Sequence, residues 1–158
     1  MTTIKQLEKS TLQGLADQIR GEVLTSGDAG YDDARTVWNA MIDKEPAVIA
    51  RCAGAADVIA AVNFARERNL LLSVHGGGHN VAGSAVCEGG LMIDLSAMTG
   101  VRVDPDAQTA RVGGGATWGA VDHETQAFGL ATPVGYNSTT GVAGLTLGGG
   151  WGWLSRKH

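Results

Sequence analysis

The sequence predicts an α+β fold in which a small parallel β-α-β unit is followed by a mainly antiparallel mixed sheet. Three observations lead there. Two short apolar runs, at 47–50 and 70–74, flank a segment of helical spacing at 55–69, and strands joined through a crossover helix lie parallel. Downstream, residues 91–95 read as a further strand, and residues 101–103 and 109–112 flank Asp104-Pro105-Asp106-Ala107, a hairpin signal. Glycine supplies 24 of the 158 residues, roughly twice its average usage but without a collagen-like period, so the glycines are positional and no mark of disorder.

In chain order, Ile4, Leu7, Leu12, Leu15 and Ile19 recur near helical spacing with charges between them, which predicts a peripheral amphipathic helix. Residues 21–24 read as a short strand after a glycine stop, residues 26–30 as a turn, and the next stretch as a helix running through Trp38. Asp32 and Asp33 open that helix, where carboxylates face the positive helix end. No chemistry is evident in this leader, residues 1–45. The organised unit spans 46–158. Its helix at 55–69 sets Val58, Ile59, Val62 and Ala65 on one face, and Thr117 caps a later helix ending at Phe128-Gly129. The unit is expected to be incomplete, since the chain stops directly after a glycine-rich loop.

Composition argues against several function classes. A net charge of −4 with scattered Lys and Arg gives no basic stripe, so neither a nucleic-acid nor an anionic-membrane partner is expected. No apolar run approaches the ~20 residues of a membrane span. The first residues open a mixed polar helix and not a secretory signal, which predicts a cytoplasmic location. Cys52 and Cys87 lack the spacing of a disulfide framework or metal cluster and are expected to be reduced and structural.

Two glycine-rich segments carry the chemistry. The first is Gly76-Gly77-Gly78-His79-Asn80-Val81-Ala82-Gly83, directly after the second apolar run, where α/β folds place ligands. Glycine lets the main chain approach a ligand, and consecutive peptide N–H groups can converge on an anion. His79 adds the nucleophilic nitrogen. The second segment is Thr139-Thr140-Gly141-Val142-Ala143-Gly144-Leu145-Thr146-Leu147-Gly148-Gly149-Gly150. The usual nucleotide fingerprints fail: Gly-x-Gly-x-x-Gly is broken at Val81, Trp118 and Trp153, and no glycine precedes lysine as a P-loop requires. His75 and His79 stand four apart as zinc ligands do on a helix, but three glycines between them argue against helix, and no metal is expected.

With those residues in view, the chain resembles the flavoenzymes with a PCMH-type FAD-binding domain, the vanillyl-alcohol oxidase or berberine bridge enzyme group. The run Leu72-Ser73-Val74-His75-Gly76-Gly77-Gly78-His79-Asn80 is similar to that family's pyrophosphate loop. Residues 91–96 resemble its next strand, 110–118 its strand-to-helix junction, and 129–133 with 139–150 its second FAD-contacting stretch. The resemblance implies FAD as cofactor, held by Gly76, Gly77, Gly78, His79, Asn80, Val81, Ala82 and Gly83 in the first segment and by Thr139, Thr140, Gly141, Gly144, Leu147, Gly149 and Gly150 in the second. It further implies covalent attachment through His79, by addition of a neutral imidazole nitrogen at the flavin 8-methyl position. Bicovalent relatives carry a cysteine near the place of Asn137, so a single link is expected here. Many relatives have arginine where His75 stands, which leaves open whether His75 contacts FAD or points away from it.

The same resemblance implies an oxidoreductase that takes hydride from a C–H next to O or N, with dioxygen as a possible acceptor. Its small-molecule substrate and its catalytic base would belong to a later domain, in the remainder of the polypeptide, leaving this portion inactive alone. Two other readings stay open: a noncatalytic nucleotide-binding or interaction module, and a dehydrogenase holding FAD without a bond. At single residues the competing readings are His79 as a hydrogen-bonding loop histidine, Asn80 and Ser84 as turn caps, and, for Trp151 and Trp153, packing as the default over stacking on a ligand ring. Gly113-Gly114-Gly115 reads as a ligand contact or a tight strand exit.

Overall fold

The computed structural model describes residues 9–157. Helix α1 (Lys9–Ala16) is the described part of the predicted leading helix; Ile4 and Leu7 lie outside the described residues. Ile19 lies past the end of α1 and is still buried, with Leu15. Strand β1 (Glu22–Leu24) pairs antiparallel with β2 (Val48–Arg51), so the leader contributes a strand to the main sheet.

Helix α2 (Tyr31–Arg35) stops three residues short of Trp38, against expectation. The Thr36 hydroxyl donates to the Asp32 carbonyl at 2.9 Å while Thr36 itself turns extended (φ −68°, ψ 133°). Side-chain bonds of this kind compete with helix continuation. The Arg35 guanidinium pairs with Asp32 within the helix (2.8 Å) and with Asp43, tying α2 to the segment that leads into β2.

Helix α3 (Ala55–Glu67) joins β2 to β3 (Leu72–His75), and β4 (Leu91–Asp94) completes a sheet of order β1-β2-β4-β3. The strands β2 and β3 are parallel as expected, but they are not neighbours: β4 lies between them, parallel to both. Burial accounts for the order. All of β4 is buried, whereas β3 exposes Leu72 and Val74 around a buried Ser73, so the strand with two apolar faces takes the centre.

The main sheet is covered on both faces. Val48, Ala50, Leu91 and Ile93 meet Leu15, Ile19, Ala61 and Phe64 on one side; Ile49 and Met92 meet Leu24, Tyr31, Ala34, Val37, Ala85 and Val86 on the other. The face of α3 matches expectation in part, with Val58 packed against the core and Ala65 buried. Asp57, Ala61, Phe64 and Ala65 are buried, while Ile59 and Val62 are exposed. Cys52 and Cys87 are free, buried thiols, and burial with nearby Asp57 and Asp94 pushes the Cys52 thiol up to about 11.

The expected hairpin is β5 (Val101–Asp104) with β6 (Thr109–Val112), closed by an Asp104 carboxylate that accepts the Ala107 N–H at 3.0 Å. Helix α4 (Trp118–Gln126) covers it through Trp118 and Val121, packed with Val101 and Val112. Thr117 sits at the N-cap of α4 without a side-chain capping bond, and the helix ends at Gln126, before the expected Phe128-Gly129. The second glycine segment, expected as a loop, contains helix α5 (Val142–Leu147), because Val142 and Leu145 pack into the cluster of Ala116, Trp118 and Val121. No helix among the described residues is long and apolar enough to cross a membrane.

Candidate functional site

The parallel strands β2, β4 and β3 end together, with Arg51, Asp94 and His75 in register across the sheet. The first glycine segment leaves from this edge. Asp94 is 1% exposed and accepts the Arg51 Nε–H at 3.1 Å, the Ser96 N–H at 2.9 Å and the Ser96 hydroxyl at 3.0 Å. Burial pushes its carboxyl up, but these donors and the adjacent His75 outweigh burial and hold it at about 2. Arg51 reaches on to Glu22 at 2.9 Å. His75 Nδ1 stands 3.5 Å from Asp94 Oδ1, and neither ring nitrogen meets hydrogen-bond geometry with a protein partner among the described residues. The ring lies beneath the glycine segment: a Cβ on Gly78 would fall 2.8 Å from His75 Nε2. Gly78 takes φ +67°, a conformation that glycine adopts without strain.

Above this row the two glycine segments meet backbone to backbone. A Cβ on Gly77 would lie 2.4 Å from the Gly141 nitrogen, and one on Gly141 would lie 2.5 Å from the Gly77 nitrogen. Between the segments opens a cleft of about 860 Å³. Of the residues expected at a ligand, Gly76, Gly77, Gly78, His79, Asn80, Val81, Ala82, Thr140, Gly141 and Gly144 line it; Gly83, Thr139, Leu147, Gly149 and Gly150 do not. His75 is outside the lining as well. Gly113 and Gly115 are explained by the strand exit, since Cβ atoms there would strike the carbonyls of Met98 (2.1 Å) and Leu95 (1.8 Å). Asn80 lines the cleft and also closes a turn, accepting the Ser84 N–H at 3.0 Å.

Among the described residues, no protein acceptor pairs with the N–H groups of residues 76–82, whereas the Gly83 and Ser84 amides do have partners. A run of free amides is what an anionic diphosphate requires of a backbone cradle. The second segment is pinned behind them: Trp118 and Gly119 donate to the Thr140 and Ser138 carbonyls, and Val142 donates to Ala116.

His79 sits on the cleft wall with its imidazole stacked on the Trp38 indole, centroids 4.6 Å apart and planes 14° from parallel. The Thr139 hydroxyl lies 3.3 Å from His79 Nε2 and donates to Asn137 Oδ1 at 2.9 Å. A hydroxyl has one proton; spent on Asn137, it leaves Thr139 an acceptor for an Nε2–H, and the imidazole lone pair then falls on Nδ1.

Sequence reasoning missed the leader's part in this site. The Trp38 N–H donates to the Gly78 carbonyl at 3.0 Å, and Asn39 Nδ2 donates to the Val81 carbonyl at 2.9 Å. Lys44 Nζ donates to the carbonyls of Gly83 (2.9 Å) and Val86 (3.2 Å). Main-chain acceptors leave no residue signature, so the one available signal was an unexplained Trp38-Asn39 pair. Tyr136 and Leu145 also line the cleft, and Tyr136 contacts the rings of Trp151 and Trp153 at 5.1 and 6.1 Å.

Comparison with known proteins gives a consistent picture. A family model described as an FAD binding domain matches residues 46–158. The chain is 39% identical over 140 residues to an (R)-6-hydroxynicotine oxidase of Paenarthrobacter nicotinovorans, covering 89% of this chain and 31% of that protein. It is also 39% identical to an FAD-linked oxidoreductase of Dictyostelium discoideum, again over 89% of this chain and 31% of the relative. Among solved structures, 6-hydroxy-D-nicotine oxidase of Arthrobacter nicotinovorans superposes with a TM-score of 0.85 at 39% identity, covering 88% of this chain and 31% of that one. The grass pollen allergen Phl p 4, which has glucose dehydrogenase activity, gives 0.85 at 29% identity over 94% of this chain and 33% of its own. The chain thus spans about a third of the length of these relatives.

Proposed function

The chain belongs to the FAD binding domain family, and on that premise we propose that it forms the cofactor-binding part of an FAD-dependent oxidoreductase in which His79 carries the flavin covalently. The observation that carries this reading is the run of free amides at residues 76–82, on the wall of a cleft where His79 also stands. N–H groups of this run hold the pyrophosphate, the charge being met by backbone dipoles because, among the described residues, no Lys or Arg lines the cleft. Residues 140–145 form the facing wall. Bound there, FAD supplies a two-electron acceptor for a C–H next to N or O, and the protein supplies orientation and a dry, shaped surface.

The names of the relatives support that substrate class. One relative oxidises a nicotine derivative and another structure has glucose dehydrogenase activity. The substrate pocket, the catalytic base and any use of dioxygen lie with the remainder of a full-length protein, and a cytoplasmic setting goes with this reading.

The test is acid precipitation of the FAD-loaded full-length protein. Yellow flavin should stay with the precipitate in the wild type and pass to the supernatant in His79→Ala, while His75→Ala should retain it. Flavin wholly in the wild-type supernatant would establish noncovalent binding instead.

A further inference from the structure

Helix α2 is followed by a strap, residues 36–44, that runs along the outside of the first glycine segment and outside the span matched by the family model. Four of its residues touch that segment. The Trp38 N–H and the Asn39 side chain hold the Gly78 and Val81 carbonyls. Ile42 fills the space above Gly83, where a Cβ would come within 2.6 Å of Ile42 Cγ2, and Lys44 donates to the Gly83 carbonyl. These bonds hold the carbonyls of residues 78, 81 and 83 against the strap, while the amides of residues 79–82 have no protein partner among the described residues. The Trp38 indole, 65% exposed and so barely employed in the core, lies flat on His79.

We propose that Trp38 is a positioning residue for flavin attachment: its indole holds the His79 ring plane while Thr139 holds one edge, so that the remaining ring nitrogen is presented to the cleft. The proposal rests on the covalent reading above. Attachment forms one nitrogen–carbon bond between His79 and the flavin 8-methyl carbon and breaks one C–H and one imidazole N–H. Two protons leave to solvent, two electrons pass to the flavin ring, and dioxygen takes them up with two protons as hydrogen peroxide. A reaction of this kind depends on near-attack geometry, and an imidazole free to rotate about χ1 and χ2 would meet it only part of the time. The stack restricts those rotations before any cofactor arrives.

The test uses the full-length protein, prepared without flavin and mixed with FAD in air. Acid-stable flavin is followed with time, and total bound FAD is measured without denaturation. Trp38→Ala is expected to slow attachment about threefold to tenfold, the rate equivalent of losing a stacked ring pair, with total FAD binding changed less than twofold. Trp38→Phe should restore the rate, and Met41→Ala, on the same strap but 90% exposed, should match the wild type. In the FAD-free protein, the His79 ring protons should resonate upfield in the wild type and move downfield in Trp38→Ala. Wild type without acid-stable flavin would overturn the covalent reading, and this inference with it. Equal attachment rates in wild type and Trp38→Ala would overturn this inference alone, as would a loss of total binding that parallels the loss of attachment.

Discussion

At the residue scale the most consequential group outside the cleft is Asp94, because one nearly buried carboxylate links three strand ends and lies below the glycine segment. Its carboxyl falls from an ordinary 3.8 to about 2, so it contributes stability that is present above about pH 4 and is lost as pH falls toward 2. The shift is worth about 2 kcal/mol at neutral pH. Asp94→Asn removes that contribution and leaves the Arg51 guanidinium without its buried partner. Urea unfolding should therefore show the variant less stable than the wild type near neutral pH, by about 2 kcal/mol or more. The gap should narrow steeply as pH falls toward 2, where the wild-type carboxyl itself becomes protonated. A gap independent of pH would mean that Asp94 is not held down by its donors.

At the element scale, α3 is fastened by its own first turn. Asp57 is 1% exposed and accepts the N–H groups of Arg20 (3.1 Å), Gly21 (3.1 Å) and Ala53 (2.8 Å), joining the link between α1 and β1, the exit of β2 and the helix start. Asp57→Ala would strand three backbone donors, and bonds of this charge-assisted kind predict a loss of about 3 kcal/mol in urea unfolding. A loss below about 1 kcal/mol would show that water replaces the carboxylate there. Asp57 illustrates what residue patterns miss. In sequence it reads as a polar position on a helix whose Val58, Ile59, Val62 and Ala65 set an apolar face, yet the sheet is met by Ala61 and Phe64, and Ile59 and Val62 stay outside. Small alanines are weak markers of a buried face, and an aspartate that caps other segments gives no periodic signal. Strands β2, β3 and β4 were legible as short, mainly apolar runs, and β5 and β6 by the turn residues between them. Their order was not, since a crossover dictates parallel direction without saying which later strand inserts between its partners.

At the scale of the whole molecule, the main sheet with its helices and the hairpin with α4 and α5 come together where Gly77 and Gly141 touch. Composition marked both glycine segments as places of close backbone approach, and the family resemblance alone gave the second a ligand; in the folded chain parts of both line one cleft. Their mutual contact was not legible, because the two glycines are 64 positions apart and only the folded backbone shows that each makes room for the other. That contact makes a prediction. Gly77→Ala would put a methyl group 2.4 Å from the Gly141 nitrogen, against main chain that is itself bonded to α4 through the Thr140 carbonyl and cannot swing aside cheaply. Overpacking of this kind costs about 1–3 kcal/mol. The strain falls on the two walls of the cleft and spares the clusters centred on Ile49 and Leu91. Far-UV circular dichroism of Gly77→Ala should therefore match the wild type, while FAD affinity falls roughly tenfold to a hundredfold, about 1.4 kcal/mol for each factor of ten. Wild-type affinity in a folded Gly77→Ala would mean that the two segments bind the cofactor without closing on each other, and the backbone cradle would then have to be assigned to the first segment alone.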